Sequence, residues 1–232
     1  MIKKNNKNIV AVYKGTTEIA SIYKGTDLLF NSNGGLPNGY TRLNYIHNEY
    51  TGGSGAYIRL NLQPTGSSIL EIKCSTTQAS SQFMVCVIAT GSSGNYRIVK
   101  FTSGNRAGAS IGSTNYTSQH NASTPVTIKI DHKKVYANGE LIGDGTENQL
   151  GIYTAIDIMR GYYSATAIYY STGKIYNAYV SVDGINPSFN GIPAKRNSDN
   201  VVGLYDTVTN TFFVSNNSNI GFEAGTIYGE NE

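Results

Sequence analysis

The sequence predicts an all-β fold, a two-sheet antiparallel sandwich, and three features carry that reading: few charges, many turn-forming residues, and short apolar runs that alternate with polar ones. Charged residues make up 14% of the chain, against roughly 25% in an average soluble domain. Glycine accounts for 26 of 232 residues and tyrosine for 18, with no tryptophan. Tyrosine, threonine and serine in such numbers suit pleated strands and their loops rather than helices. The length lies within the roughly 200–250 residues that sandwiches and barrels use as one domain, so a sizeable core is available.

Taken in chain order, the first element is a ten-residue repeat, VYKGTTEI from Val12 and IYKGTDLL from Ile22. Each Lys-Gly-Thr is a turn signal between short apolar runs, so residues 1–33 read as a short β-meander segment. So few short strands bury too little to stand alone. Val12, Tyr13, Ile19, Ile22, Tyr23 and Leu29 therefore become the candidate residues of an attachment or oligomerisation element. FNSNGGLPNG, Phe30 to Gly39, combines Asn, Ser, Gly and Pro as a linker does. Residues 40–232 form the main domain.

From Tyr40 onward strand-like runs recur between turns: AYIRLNL from Ala56, SILEIKC from Ser68, QFMVCVIA from Gln82, YRIVKF from Tyr96, VTIKID from Val126, KVYA from Lys134 and KIYNAYVSV from Lys174. In ILEIKC, Leu70, Ile72 and Cys74 alternate with Ile69, Glu71 and Lys73, the period of a half-buried strand. VYANGELI from Val135 places Asn138-Gly139 between two such runs. That dipeptide is the signature of a two-residue hairpin whose central positions both need φ > 0. STNYTSQHNAS, Ser113 to Ser123, reads as a polar loop. No stretch of helical length keeps a helical period.

The chain offers little to catalysis. Cys74 and Cys86 match no metal spacing, and each sits in a strand-like run, the setting of a buried free thiol. GASIG, Gly108 to Gly112, fits a nucleophile elbow around Ser110, but an elbow needs a helix after it, and the polar run that follows offers only His120 as a nearby base. His47, His120 and His132 share no ligand spacing, and no HExxH, CxxC or EF-hand loop occurs. Asp144 to Asn148 reads as a solvated turn. No catalytic residue, metal or cofactor is assigned, and the chain is read as not an enzyme.

Net charge is +3, with Lys3, Lys4, Lys7, Lys14 and Lys24 set against Glu18 and Asp27 in the first 33 residues. A nucleic-acid surface would carry a denser patch with arginine in it, so no nucleic acid is expected. MIKKNNKNIVAVYKG starts basic, yet its apolar run is only Ile9 to Tyr13, short of the roughly 7–15 residues of a signal peptide. No segment approaches the roughly 18 apolar residues of a membrane span. The expectation is a chain made in a cytoplasm, with no membrane partner.

What remains is a recognition surface. Tyr153, Tyr162, Tyr163, Tyr169, Tyr170, Tyr176 and Tyr179 crowd together with Ser, Thr and Gly between them, the composition of adaptable binding surfaces. Aromatic rings also pack against the C–H faces of sugars. Tyr176 and Tyr179, three apart, point to opposite faces of an extended strand, so at least one belongs to the core. Tyr162, Tyr163, Tyr169 and Tyr170, in the setting richest in Gly, Ser and Thr, are the candidate glycan residues.

Two distant blocks resemble a known family. LPNGYTRLNYI, Leu36 to Ile46, and GKIYNAYVSVDG followed by IPAKRNSDNVVGLYDTVTNTFFVSNNSNIGFEAGT, Gly173 to Thr226, resemble the two ends of the concanavalin A-like (laminin-G-like) jelly-roll domain of gut bacteriophage virion proteins. The closing F-x-AG is Phe222, Ala224 and Gly225. The family's TGTQYIDTG run is replaced here by HNEYTGGSGAYIRLNL from His47, so nothing borne by that loop is carried over. VYANGELI also resembles the Y-x-(D/N)-G hairpin of laminin-G-like domains. Some glycosidases of this fold carry an E-I-D-x-x-E strand; in AIDIMRG, Ala155 and Gly161 stand where the two glutamates would be.

The resemblance implies a jelly-roll sandwich in a non-enzymatic structural protein of the virion: a head fibre, tail fibre, decoration or baseplate component. Other phage virion proteins would be its partners through the amino-terminal segment, a trimer its expected homo-oligomer, and a cell-surface glycan its adhesion target. A purely structural decoration protein and a polysaccharide depolymerase stand as the alternatives.

Overall fold

In the computed structural model the described residues are 3–4, 7–8, 13–14, 17–18, 21–24, 27–31, 36–50, 53–78, 82–89, 98–102, 105–112, 114–145, 153–162 and 168–230. All regular structure among them is β. Near the amino terminus, β1 (Lys3–Lys4) pairs with β2 (Lys7–Asn8), β3 (Tyr13–Lys14) with β4 (Thr17–Glu18), and β5 (Ser21–Lys24) with β6 (Asp27–Asn31). Each pair is a two-stranded sheet of its own. The predicted meander is thus three separate hairpins, and among the described residues no strand pairing joins them to one another or to the main domain.

The hairpins disclose a third copy of the repeat. Lys4, Lys14 and Lys24 end the first strand of each hairpin, and Lys7, Thr17 and Asp27 open the second. The first copy carries Asn5-Asn6 where the others carry Gly-Thr. Asparagine is a turn former too, but the changed dipeptide hides the period. Of the attachment candidates, Tyr13, Ile22, Tyr23 and Leu29 lie in hairpin strands, and Val12 and Ile19 lie outside the described residues.

The main domain follows with β7 (Tyr40–Arg42), β8 (Ile46–Asn48), β9 (Ile58–Leu60), β10 (Ile69–Ser75), β11 (Gln82–Ala89) and β12 (Ile98–Thr102). Next come β13 (Arg106–Ile111), β14 (Thr114–Asn121), β15 (Val126–Asp131), β16 (Lys134–Ala137), β17 (Glu140–Asp144) and β18 (Tyr153–Ile158). The remainder are β19 (Arg160–Tyr162), β20 (Ile168–Tyr170), β21 (Gly173–Ser181), β22 (Phe189–Arg196), β23 (Val202–Asp206), β24 (Thr211–Phe213) and β25 (Glu223–Ala224).

Two main antiparallel sheets result, and β19 and β20 pair apart from them as a two-stranded sheet. The large one has 11 strands in the order β17-β16-β15-β10-β21-β22-β23-β24, with β7 added to β22, β8 to β21 and β25 to β8. The small one has six, ordered β14-β13-β12-β11-β18-β9. In β10, Leu70, Ile72 and Cys74 are buried while Ile69, Glu71 and Lys73 are half-buried, as the period-two pattern predicts. Ile128 and Val180 from the large sheet join Ile58, Val85, Ala109 and Ile156 from the small one in a single core. That shared core makes the two sheets a sandwich. Each large apolar side chain so buried contributes roughly 1.5–3 kcal/mol. Both cysteines are free and buried, and burial pushes the Cys74 thiol far up.

The run expected to be a polar loop is instead strand β14. It forms the edge of the small sheet, and only its Ser118 is buried. An edge strand with one covered position has no apolar alternation to announce it. It is held by backbone pairing with β13 and by the Ser118 hydroxyl, which donates to the Ala107 carbonyl at 2.8 Å.

The blocks at the two ends of the domain meet in space. β7 pairs with β22 through Arg42 and Ala194, and β8 pairs with β25 through Ile46 and Ala224. Asn44 donates to Thr226 Oγ1 at 2.7 Å. Leu36, Ala194 and Tyr205 form a second small core with Tyr40, Ile192 and Phe212 against it, so the last part of the expected linker is fastened to the sandwich. Pro193 sits where β22 changes neighbour from β21 to β7, and its carbonyl accepts from Leu43 N at 3.0 Å.

Turns are held by acids and glycines. Asp206, almost fully buried, accepts from the backbone of Asn190, Val208 and Thr209. Asn138 and Gly139 have φ of 49° and 85°, the double positive φ the hairpin requires, and Asn138 Oδ1 accepts from Thr127 N at 2.9 Å. An added Cβ at Gly139 meets nothing within 4 Å, so a substitution there pays only in backbone strain. Gly139→Val is expected to lower unfolding free energy by about 1–2 kcal/mol, measured by denaturant titration; unchanged stability would contradict the turn.

A second prediction concerns acid. The backbone N–H of Ile185, with the side chain and N–H of Asn186, holds the Asp183 carboxyl far below its usual 3.8. The Arg196 guanidinium lowers the pKa of the Asp199 carboxyl as well. For Asp131 burial alone would raise the value, but hydrogen bonds from Lys129 and His132 carry it below. Depressed carboxyls stabilise the fold fully above the unfolded value and lose that contribution as pH falls through the folded values. Tm is therefore expected to hold steady down to about pH 4 and fall below it, and Asp183→Asn to lower Tm at pH 7 while closing the gap to wild type in acid.

Candidate functional site

The best-built surface feature is an aromatic edge where β19 and β20 leave the small sheet. β18 carries Asp157, fully buried, opposite Arg59 of β9. Arg59 donates to it from Nε at 2.9 Å and Nη2 at 3.1 Å, and Arg160 donates from Nε at 2.7 Å. Met159 between them has φ of 66°, an uncommon backbone for a long side chain. Its N–H bonds to the Met84 carbonyl at 2.9 Å and its carbonyl accepts from Ser171 N at 3.0 Å. The left-handed residue turns the chain so that Arg160 reaches back to Asp157.

Arg160 then supports the aromatics. Its guanidinium lies 3.4 Å from the centroid of the Tyr57 ring, a cation–π contact. Tyr57 and Tyr170 are 6.0 Å apart, and Tyr170 stacks on Tyr50 at 6.4 Å with 13° between planes. Tyr169 packs on Phe83 at 6.0 Å. Tyr50, Ile168 and Tyr169 are 45%, 48% and 48% exposed; Ile168 and Tyr169, consecutive in β20, present apolar surface to solvent on opposite faces of the strand.

The base beneath is rigid. Buried Asn48 accepts from Ala56 N at 2.9 Å and donates to the Ser171 carbonyl at 2.5 Å. The Ser171 hydroxyl accepts from Phe83 N at 2.7 Å and donates to its carbonyl at 2.8 Å. Tyr50 N donates to Thr172 Oγ1 at 2.9 Å. Segments distant in sequence are thus tied beneath the rings.

Of the four candidate glycan tyrosines, Tyr169 and Tyr170 belong to this edge. Tyr162 ends β19 opposite Ile168, and Tyr163 lies outside the described residues. Sequence reasoning missed Tyr50, Tyr57, Arg160 and Ile168. Tyr50 and Tyr57 lie in the run from His47 that departs from the family pattern, which is where the loss of a motif should have directed attention.

The expectation that Tyr176 or Tyr179 is core is corrected. Pairing between β10 and β21 shifts register between Lys73 and Cys74: Lys73 opposes Asn177 and Cys74 opposes Ile175, leaving Tyr176 as the extra residue of a bulge. A bulge breaks strict alternation. Ile175, Ala178 and Val180 are all buried, and Tyr176 and Tyr179 are both half-buried on the outward face. There Tyr45 and Tyr176 rings are 5.6 Å apart, with Lys174 Nζ 3.9 Å from the Tyr45 centroid and Lys73 Nζ 5.7 Å from that of Tyr176. The same face holds a cleft of about 320 Å³ lined by Glu71, Thr127, Lys129, Asp131, Tyr136 and Gly139.

The motifs weighed for chemistry are occupied otherwise. Ser110 lies inside β13 and donates to Asn115 of the next strand, while His120 approaches Glu140 at 4.0 Å. His47 pairs with Glu223 at 3.0 Å and His132 with Asp131 at 2.7 Å, so the three histidines face three different carboxylates. Among the described residues no cluster of three or more His, Cys, Asp or Glu is placed to hold a metal. At Gly161 an added Cβ would lie 2.3 Å from Phe83 Cγ, so a glutamate there is sterically barred. Compared with known proteins, the chain matches no family model, and no curated protein aligns with it.

Breaking a buried ion pair by removing one partner costs about 3–5 kcal/mol. Asp157→Asn is expected to lose stability on that scale and to weaken the tyrosine near-ultraviolet circular dichroism, which no tryptophan obscures. A stable variant with an unaltered spectrum would show that the ion pair does not hold the edge.

Proposed function

We propose that this protein is a non-enzymatic bacteriophage virion component whose concanavalin A-like jelly-roll domain adheres to glycans, and whose amino-terminal hairpins attach it or join its copies. The observation that carries the adhesion reading is the exposed tyrosine edge on a rigid base. Tyrosine gives large contact area at low entropic cost, and a pre-ordered platform loses little on binding. The virion assignment is supported by the resemblance of the two end blocks, which pack as one unit through β7, β8, β22 and β25. The amino-terminal reading is supported by the size of the hairpins, since isolated two-stranded sheets are marginal in water.

Against the depolymerase alternative stands the geometry of β18 and β19. Asp157 is engaged by two arginines and Gly161 has no room for an acid, so the two-carboxylate arrangement of a glycosidase has no place on this strand.

Tyr50→Ala combined with Tyr169→Ala is expected to weaken binding on a glycan array or to host cells about tenfold or more with Tm nearly unchanged. Undiminished binding would remove the edge from the adhesion reading, and an inert wild type would favour a purely structural decoration protein. A chain beginning at Leu36 is expected to fold with the wild-type Tm, run as a monomer in light scattering and fail to enter particles; a truncated protein that still assembles would place attachment on the sandwich.

A further inference from the structure

We propose that the outward face of the large sheet is a second glycan site, separate from the tyrosine edge, and that it takes a neutral polysaccharide chain. The ligand class rests on the adhesion reading; the location rests on the sheet. The bulge at Tyr176 turns two tyrosines outward that strict alternation would divide between the faces. Tyr176 and Tyr45 form a tilted aromatic pair, a surface suited to the apolar faces of sugar rings.

From there a polar row crosses the sheet in register: Tyr136 opposes Lys129, Lys129 opposes Glu71, Glu71 opposes Tyr179, and Tyr179 opposes Asn190. Five strands at a spacing of about 4.8 Å make the row roughly 19 Å long, the reach of an oligosaccharide rather than one sugar. At its end the 320 Å³ cleft adjoins another of about 270 Å³, with Asp131 and Tyr136 lining both. Ligand sites begin at about this size.

The charges decide the ligand. Most pair with a neighbour of opposite sign: Lys129 with Asp131 at 2.7 Å, His132 with the same carboxylate at 2.7 Å, Lys133 with Asp144 at 4.0 Å and His47 with Glu223 at 3.0 Å, while Lys73 and Lys174 lie over the Tyr176 and Tyr45 rings. Paired ammonium and carboxylate groups present donors and acceptors to neighbouring hydroxyls while cancelling one another's fields. A polyanion would gain little net attraction from charges so nearly balanced, whereas a neutral, hydroxyl-rich chain meets hydrogen-bonding groups of both kinds beside aromatic faces.

The test is calorimetric titration of the full chain with soluble neutral polysaccharides and with alginate as the acidic one, at about 0.05 and 0.5 M salt. Binding to a neutral chain is expected to be insensitive to salt, to weaken about tenfold in Tyr176→Ala/Tyr179→Ala, and to persist in part in Tyr50→Ala/Tyr169→Ala. Glu71→Gln keeps side-chain shape and is expected to weaken binding several-fold at unchanged Tm, so the test stands if the tyrosine variant misfolds. Neutral-chain binding untouched by the face variants but lost in the edge variant would overturn this site and leave the adhesion reading standing. Binding only to alginate, falling with salt, would overturn the ligand class. A dimer abolished by the face variants would make the face a self-interface, and failure to bind any glycan would overturn site and adhesion reading together.

Discussion

The pairing of β10 with β21, interrupted once at Tyr176, is the constraint on which the rest of the molecule depends. These two strands lie at the middle of the large sheet, and their inward residues Leu70, Ile72, Cys74, Ile175, Ala178 and Val180 all belong to the main core. Under strict alternation, an inward Ile175 would bring Asn177 and Tyr179 inward and expel Ala178 and Val180. A one-residue register change flips every following side chain. The bulge spends one residue to correct the parity, so the core receives its aliphatic residues and solvent receives both tyrosines.

The same strand joins the ends of the domain. β21 takes β8 on one stretch and β22 on the next, and those strands carry the opening and closing blocks. Asp206 then organises the turn after β23 while capping the start of β22. Residues far apart in the chain therefore form one hub, and the aromatic edge is anchored beside it: Asn48 at the end of β8 bonds to Ser171 just before β21. Aromatic edge and fold share their supports, so loosening the hub loosens the tyrosines.

Much of this was legible in the sequence wherever a strand has one wet and one dry face. The alternation of Ile69 to Cys74, the turn at Asn138-Gly139 and the burial of both thiols follow from period and turn chemistry alone. Strand β14 was not legible, because an edge held mainly by backbone pairing leaves little trace in side-chain pattern. The outward placement of both Tyr176 and Tyr179 was hidden for a different reason: a bulge is a relation between two strands, and no single strand encodes it. Tyr50 and Tyr57 escaped because they become neighbours of Tyr170 only when β8, β9 and β20 are assembled. The third repeat was hidden by Asn5-Asn6, a turn dipeptide unlike the Gly-Thr of the other two.

The central claim is that the bulge turns both tyrosines of β21 away from the core. Hydroxyl-radical footprinting read by mass spectrometry tests it most directly, with Tyr205, 5% exposed, as the protected internal reference and Tyr50 as the exposed one. The account predicts that Tyr176 and Tyr179 are both modified at rates between those two references, and well above Tyr205. Protection of either one to the level of Tyr205 would restore strict alternation and contradict the account.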